Sequence, residues 1–263
     1  MVGACFIPFN NRNLDISIFA FRPTVVLVGD LIEALKHFSL STETLGCVQS
    51  SLLQSIHGNM ILWYGAWLKK SCENKESLIA TLLSMLNNIS TMAILTEHSF
   101  FDSYAGESRD SSVGAAKFCR GDTISMCVAS SLSSKNDIND LSYACLALFK
   151  SNFLRMDGVT SGVCLKSQNK SAAASFYVWK DLQFCYSWIL TDQRSSMLPY
   201  LERFSLELKY DIFRVVYVSG DDNVVNVAFV VSHPPNSTQM LEKEGESKEQ
   251  KQVIKTSKVN YLW

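Results

Sequence analysis

The 263-residue sequence is short of charge. Asp, Glu, Lys and Arg make up 19% of it and the formal net charge is -1. Nucleic-acid binders draw most of their affinity from neutralising phosphates, so this balance points away from nucleic acid as a partner. Paired cysteines are missing as well. None of the eight cysteines stands in a C-x-x-C pair, and His37, His57, His98 and His233 are scattered. A structural zinc site needs ligands at short spacing, so the cysteines read as reduced, buried thiols. No G-x-G-x-x-G or phosphate-loop pattern occurs, which excludes nucleotide sites of those types. The N-terminus, MVGACFIPFNNR, lacks a basic stretch followed by a long apolar core. The expectation is therefore an intracellular protein, cytoplasmic or nuclear, in which the sequons at Asn88, Asn169 and Asn236 carry no sugar.

Apolar residues are plentiful, at 47%. A chain of this length buries roughly 70% or more of its unfolded surface and needs no disulfide or metal to hold a core. One uncharged run, Ser77 to Thr96, has the length of a membrane span. Asn87, Asn88 and several hydroxyls make it a poor one, and no membrane association is expected. Leu78, Leu82, Met85, Leu86 and Ile89 instead line one helical face, with Asn74 as its cap, and a strand follows.

That helix is one of four. A second starts near Asp30 and presents Leu31, Leu35 and Phe38. A third starts near Asp137 and presents Leu141, Cys145, Leu148 and Asn152. The fourth starts near Ser196 and presents Leu198, Leu201, Phe204 and Leu208, with Pro199 tolerable in its first turn. Runs rich in aromatic and β-branched residues precede them: LDISIFAF, MILWYGAWL, DTISMCVA and LQFCYSWIL. Others follow: TLGCVQSSLL, TMAILTEHSF, VTSGVCLKS and DIFRVVYVSG. Leu31 to Leu45, Leu78 to Met92 and Leu198 to Ile212 are equal steps, and Leu141 to Val159 is a longer one.

Four strand-helix-strand units predict an α+β fold of two ferredoxin-like (β-α-β-β-α-β) halves with antiparallel sheets. The halves are expected over 13–104 and 117–232. Residues 1–12 form an N-terminal segment, the Gly/Ser-rich stretch 105–116 a linker, and 233–263 a polar, disordered tail. FYVWKDLQFCYSWIL is long for one strand. If it is a hairpin turning at Lys180-Asp181, profilin-like or longin-like halves are the alternative.

PFNNRNLDISIFAFRPTVVLV and YLERFSLELKYDIFRVVYVSGD together resemble a family of uncharacterised plant proteins, a domain of unknown function. The resemblance spans Pro8 to about Asp221. It implies a plant origin and no established activity, and it transfers no functional residue.

Several motifs invite a chemical reading. Asp221 and Asp222 in YVSGDDNVV sit where a hairpin tip could hold a hard cation, but no partner carboxylate motif accompanies them and a β-turn accounts for the residues. GVTSG, Gly158 to Gly162, has its serine displaced from the nucleophile-elbow position. His98 and Asp102 share a strand face opposite Glu97 and could orient a base for a nucleophile such as Cys119, but a solvated strand end is the commoner use. Trp63, Tyr64, Trp67, Trp179 and Trp188 could stack bases, but the basic glycine-aromatic motif is missing. Trp63 and Trp67 share a face with Gly65, which suits packing between sheet and helices.

No catalytic residue, cofactor or metal ligand is assigned. The sequence leans against an enzyme. It points to a non-catalytic interaction or scaffold protein that uses open sheet faces or edges for a protein partner or for self-association. A small-molecule-binding regulatory protein is the alternative.

Overall fold

In the computed structural model the described residues are 3–10, 13–24, 26, 28–69, 71–110, 114–131, 138–190 and 206–220. They form ten strands and four helices, all within the unit of residues 1–232. The order is β1 (Ala4–Pro8), β2 (Leu14–Pro23), α1 (Val28–Glu43), β3 (Cys47–Ser55), β4 (Ile61–Leu68), α2 (Cys72–Met85) and β5 (Ala93–Ser108). Then come β6 (Ala115–Cys119), β7 (Thr123–Ser131), α3 (Ile138–Phe153), β8 (Val159–Ser167), β9 (Ala172–Trp179), α4 (Leu182–Leu190) and β10 (Leu206–Gly220). Every strand pair is antiparallel, so the fold is α+β as expected.

The strands of the first half run in the order β3-β4-β2-β5 and those of the second β8-β9-β7-β10. These do not remain two sheets with open faces. They close into one eight-stranded barrel. Closure rests on two long strands that each serve both halves. β5 pairs with β2 through Phe101 and with β8 from Phe101 onward. β10 pairs with β7 through Arg214 and with β3 from Phe213 onward. Register shifts at Ser103/Ala105 and Val215/Tyr217 bend the two strands at the handover, as bulges do at barrel corners.

The alternation read in the strands sorts their side chains. Ile16, Ile18, Tyr64, Phe101, Phe176 and Phe213 belong to an interior cluster shared by both halves. Cys5, Ile7, Ala116 and Phe118 of the β1–β6 ribbon join it, all fully buried. The ribbon fills one end of the barrel. Tyr64 donates its hydroxyl to Phe6 O at 3.0 Å, and Phe6 N–H donates to Gln49 Oε1 at 2.9 Å. Ala4–Pro8, within the expected N-terminal segment, therefore contribute a strand to the core.

The outer faces carry the helices. Phe19, Phe21, Trp63 and Trp67 pack under Leu31, Leu35 and Phe38 of α1 and Leu78 and Leu82 of α2. Trp63 donates to Ser39 Oγ and Trp67 to Ser17 Oγ, each at 2.8 Å, so both buried indoles are satisfied. Gly65 allows this packing: a β-carbon there would lie 2.3 Å from Cη2 of Trp63.

Three local expectations need correction. LQFCYSWIL is not a strand; it is α4, started by Asp181, whose carboxylate accepts from Phe184 N–H at 3.0 Å. The strand in that unit is AAASFYVW, β9, and the hairpin at Lys180-Asp181 does not form. Gly158, at φ 75°, lets α4 seat Phe184 against it. Of the helix expected from Ser196, residues 196–205 lie outside the described residues, and Leu208, read as the end of its stripe, lies instead on strand β10, paired with Ala129. Lastly, α2 is capped by Ser71, not Asn74: Ser71 Oγ accepts from Asn74 N–H at 3.4 Å.

Candidate functional site

The two helix-covered faces are built alike but filled differently. Trp179 on β9 donates its indole N–H to Ser125 Oγ on β7 at 2.9 Å. Trp67 on β4 makes the same bond to Ser17 on β2. When these two bonds are superposed, the strand registers align the rest. Phe19 pairs with Trp63, and the matching pair is Cys127 with Ser175. Phe21 pairs with Ile61, and the matching pair is Ala129 with Ala173. Three aromatics and an isoleucine are thus replaced by a thiol, a hydroxyl and two methyls, while Tyr177 takes the place of Gly65.

The space they vacate is a cavity of about 160 Å³ between β7, β9 and β10 on one side and α3 and α4 on the other. Ser125, Cys127 and Ser175 form its floor, with Leu148, Phe149 and Trp188 among the residues of the helix side. Phe149 stacks on Tyr177 with centroids 5.5 Å apart and planes 17° apart, which fixes one aromatic wall. Asn152, its amide donating to Leu148 O at 2.8 Å, stands at the cavity with the phenols of Tyr177 and Tyr210.

No charged side chain lines this cavity among the described residues. Burial also favours the neutral form of two of its titratable groups. Desolvation pushes the Cys145 thiol up to about 12 and raises the Tyr177 phenol well above its ordinary value. The cavity therefore offers hydrogen bonds and aromatic faces, without a resident thiolate at Cys145 or phenolate at Tyr177 near neutral pH. Among the described residues no group of three His, Cys, Asp or Glu side chains is placed to hold a metal.

The motifs noted in the sequence fall elsewhere. His98 stacks on Phe19, centroids 5.6 Å apart, and burial lowers its pKa. Asp102 instead accepts from Lys69 at 3.2 Å and Gln168 at 3.0 Å, so His98 and Asp102 form no catalytic pair. Cys119 ends β6, where its N–H donates to Asp122 Oδ2 at 2.7 Å. Gly158 ends a turn at positive φ, and the rest of GVTSG, Val159 to Gly162, begins strand β8. Trp63, Trp67 and Trp179 are buried in packing, Tyr64 points into the barrel, and Trp188 borders the cavity. Asp221 and Asp222 lie outside the described residues. Cavity residues such as Cys127, Ser175 and Tyr177 were missed; the signal was the contrast between the two halves at matching strand positions.

Residues 99–213 match the family model of a domain of unknown function, DUF7392. That agrees with the expected uncharacterised domain. A comparison with curated proteins finds no match. Among solved structures, an anthrone oxidase-like protein superposes with a TM-score of 0.67 at 15% identity, covering 82% of this chain and 96% of its own. A protein of Fusobacterium nucleatum subsp. nucleatum provisionally described as a monooxygenase superposes with a TM-score of 0.55 at 8% identity, covering 80% and 95%. At such identities the likeness is one of fold.

The scaffold reading is corrected on two counts. It required open sheet faces or edges, whereas the eight barrel strands are paired on both sides, their inner faces meet inside the barrel and the outer ones lie under helices. It also leaned against an enzyme, whereas the solved structures of this shape are described as an oxidase-like protein and a monooxygenase. Among the described residues no helix is long and apolar enough to cross a membrane.

Proposed function

We propose that this protein binds a small, uncharged, single-ring molecule of phenol type between α3, α4 and the sheet. The observation that carries the reading is the hollow itself, present where Cys127 and Ser175 match Phe19 and Trp63 of the filled half. An apolar cavity of about 150 Å³ holds one benzene ring, so about 160 Å³ suits one ring and is tight for three. Leu148, Phe149 and Trp188 supply apolar contact, and Asn152, Tyr177 and Tyr210 supply polar groups for a hydroxyl. Thermal unfolding with phenol, catechol, hydroquinone and benzoate tests it. A ligand that binds only the folded chain raises Tm. The neutral phenols should do so and benzoate should not; a flat response to all four overturns the reading.

The fold relatives favour a second, catalytic step at the same site. A hydroquinone held there would lose two electrons and two protons to dioxygen, giving a quinone and hydrogen peroxide. Dioxygen is the oxidant, and the neutral polar groups of the cavity hold the ring while it reacts. Oxygen uptake with matching peroxide release, above the rate without protein, is the expected result. Binding without uptake leaves a binding protein of the regulatory kind.

The two halves, divided between β5 and β6 near the expected stretch 105–116, would each be a ferredoxin-like unit. The strand orders and the matched Trp67–Ser17 and Trp179–Ser125 bonds support this.

A further inference from the structure

The barrel interior is filled at only one end. The β1–β6 ribbon occupies the end where Tyr64, Phe176 and Val218 lie. Toward the other end the inward residues change character. Along β2 they run Ile16, Ile18, Ala20, Arg22; along β10, Val215, Phe213, Asp211, Lys209; along β5, Phe101, Ser99, Glu97. Large apolar side chains give way to small ones and then to charged ones. An eight-stranded barrel is just wide enough to be filled by side chains or to hold one small ligand. Here the small residues leave a cavity of about 430 Å³, with Ile18, Leu62, Phe101, Met126 and Phe213 at its floor.

The charges at its mouth are unequal in their engagements. Glu97 is held by Lys170 at 3.2 Å and Lys209 at 3.6 Å. Lys209 also reaches Glu207 at 3.6 Å. Asp211 accepts from the N–H of Ile212 at 2.7 Å. Arg22 has no ion-pair partner among the described residues, and it stands on β2, separated from β10 and its Asp211 by β3 and β4. A guanidinium at the lip of an apolar well suits a carboxylate head on an apolar body. From Phe213 to Lys209 is four residues, about 13 Å of strand, which sets the depth.

We propose that the open end of the barrel is a second ligand site, for a medium-chain carboxylic acid whose chain lies on the Leu62–Met126–Phe213 floor and whose carboxylate meets Arg22. The site shares Leu208 and Tyr210 of β10 with the helix-side cavity, but its floor and Arg22 belong to the barrel side alone.

Methionine methyl NMR on the full chain tests this with octanoate, octanol and octylamine as probes. Met60 and Met126 line the barrel cavity, and Met156 lines the helix-side one. Octanoate should shift Met60 and Met126 and leave Met156 in place. Arg22→Gln, at an exposed position, should weaken octanoate about tenfold or more and leave octanol unchanged. Absence of octanoate binding, shifts at Met156 instead, equal affinity in Arg22→Gln, or a preference for octylamine would each overturn the proposal.

Discussion

Trp179 donates its indole N–H to Ser125 Oγ at 2.9 Å beneath a cavity, and Trp67 makes the matching bond to Ser17 at 2.8 Å beneath a solid core. The same strand-to-strand bond anchors both helix-covered faces. What distinguishes them is the size of the residues beside the bond. Phe19 and Trp63 seal one face; Cys127 and Ser175 leave the other hollow.

Cys127→Phe should therefore copy the sealed face onto the hollow one. Phenol binding should fall below detection, while stability stays within about 1 kcal/mol of the parent, because the new ring enters existing space. Calorimetric titration alongside urea unfolding checks both. A variant that folds as before and still binds phenols would remove the helix-side cavity as their site.

The sealed face should respond in the opposite way. Trp63→Ala opens a void among Phe19, Phe38 and Trp67, all in ring contact with it, and should cost about 3–5 kcal/mol. Gly65→Ala attacks the same packing by crowding, and overpacking of this kind costs about 1–3 kcal/mol. Urea midpoints read both changes, and phenol affinity measured on the folded fraction should not move.

Much of this face was legible in the sequence. The i, i+4 stripe of Leu78, Leu82 and Leu86 and the alternation of Trp63, Gly65 and Trp67 place helix over sheet correctly, since both are local periodicities. Barrel closure was not legible. It depends on β10 meeting β3 and β5 meeting β8, pairings across long stretches of chain that leave no local period. LQFCYSWIL was misread because a short aromatic-rich run has the length of a strand and carries no clear helical stripe. The sheets' apolar faces did suggest mutual burial, but the choice between meeting each other and meeting a partner lay in those same edge pairings.

A polar tie spanning the halves offers another test. Lys75 at the start of α2 donates to Asp15 Oδ1 at 2.9 Å, with the two side chains 15% and 2% exposed. Gln168, in the β8–β9 turn, donates to the same oxygen at 2.7 Å and to Asp102 at 3.0 Å. Lys75→Met leaves the buried carboxylate with less compensation. It should cost about 1–3 kcal/mol, less than for a fully dry pair because the ammonium keeps some water. Asp15→Asn in the same background should recover part of the loss by removing the stranded charge. Unfolding of the four members of this double-mutant cycle measures the coupling.

The buried thiols make the fold sensitive to alkali. Desolvation pushes Cys145 and Cys164 up to about 12 and Cys47 and Cys185 up to about 11, from an ordinary thiol value of 9.0. Each group holds its proton more tightly in the folded chain than in the unfolded one. Its contribution to stability is thus fully present below pH 9 and is lost as pH climbs from 9 through 11 and 12. Urea stability should show no loss from these groups below pH 8 and a steady fall above pH 9. At pH 8 a thiol with a raised pKa carries far less thiolate than an ordinary one, so labelling of Cys145 and Cys164 by a thiol reagent should be much slower in the folded protein than after the chain unfolds. Mass spectrometry after graded labelling locates the modified sites. Rapid modification of Cys145 in the folded protein would mean that the cavity opens to solvent and reagent, and the dry single-ring pocket would have to be given up.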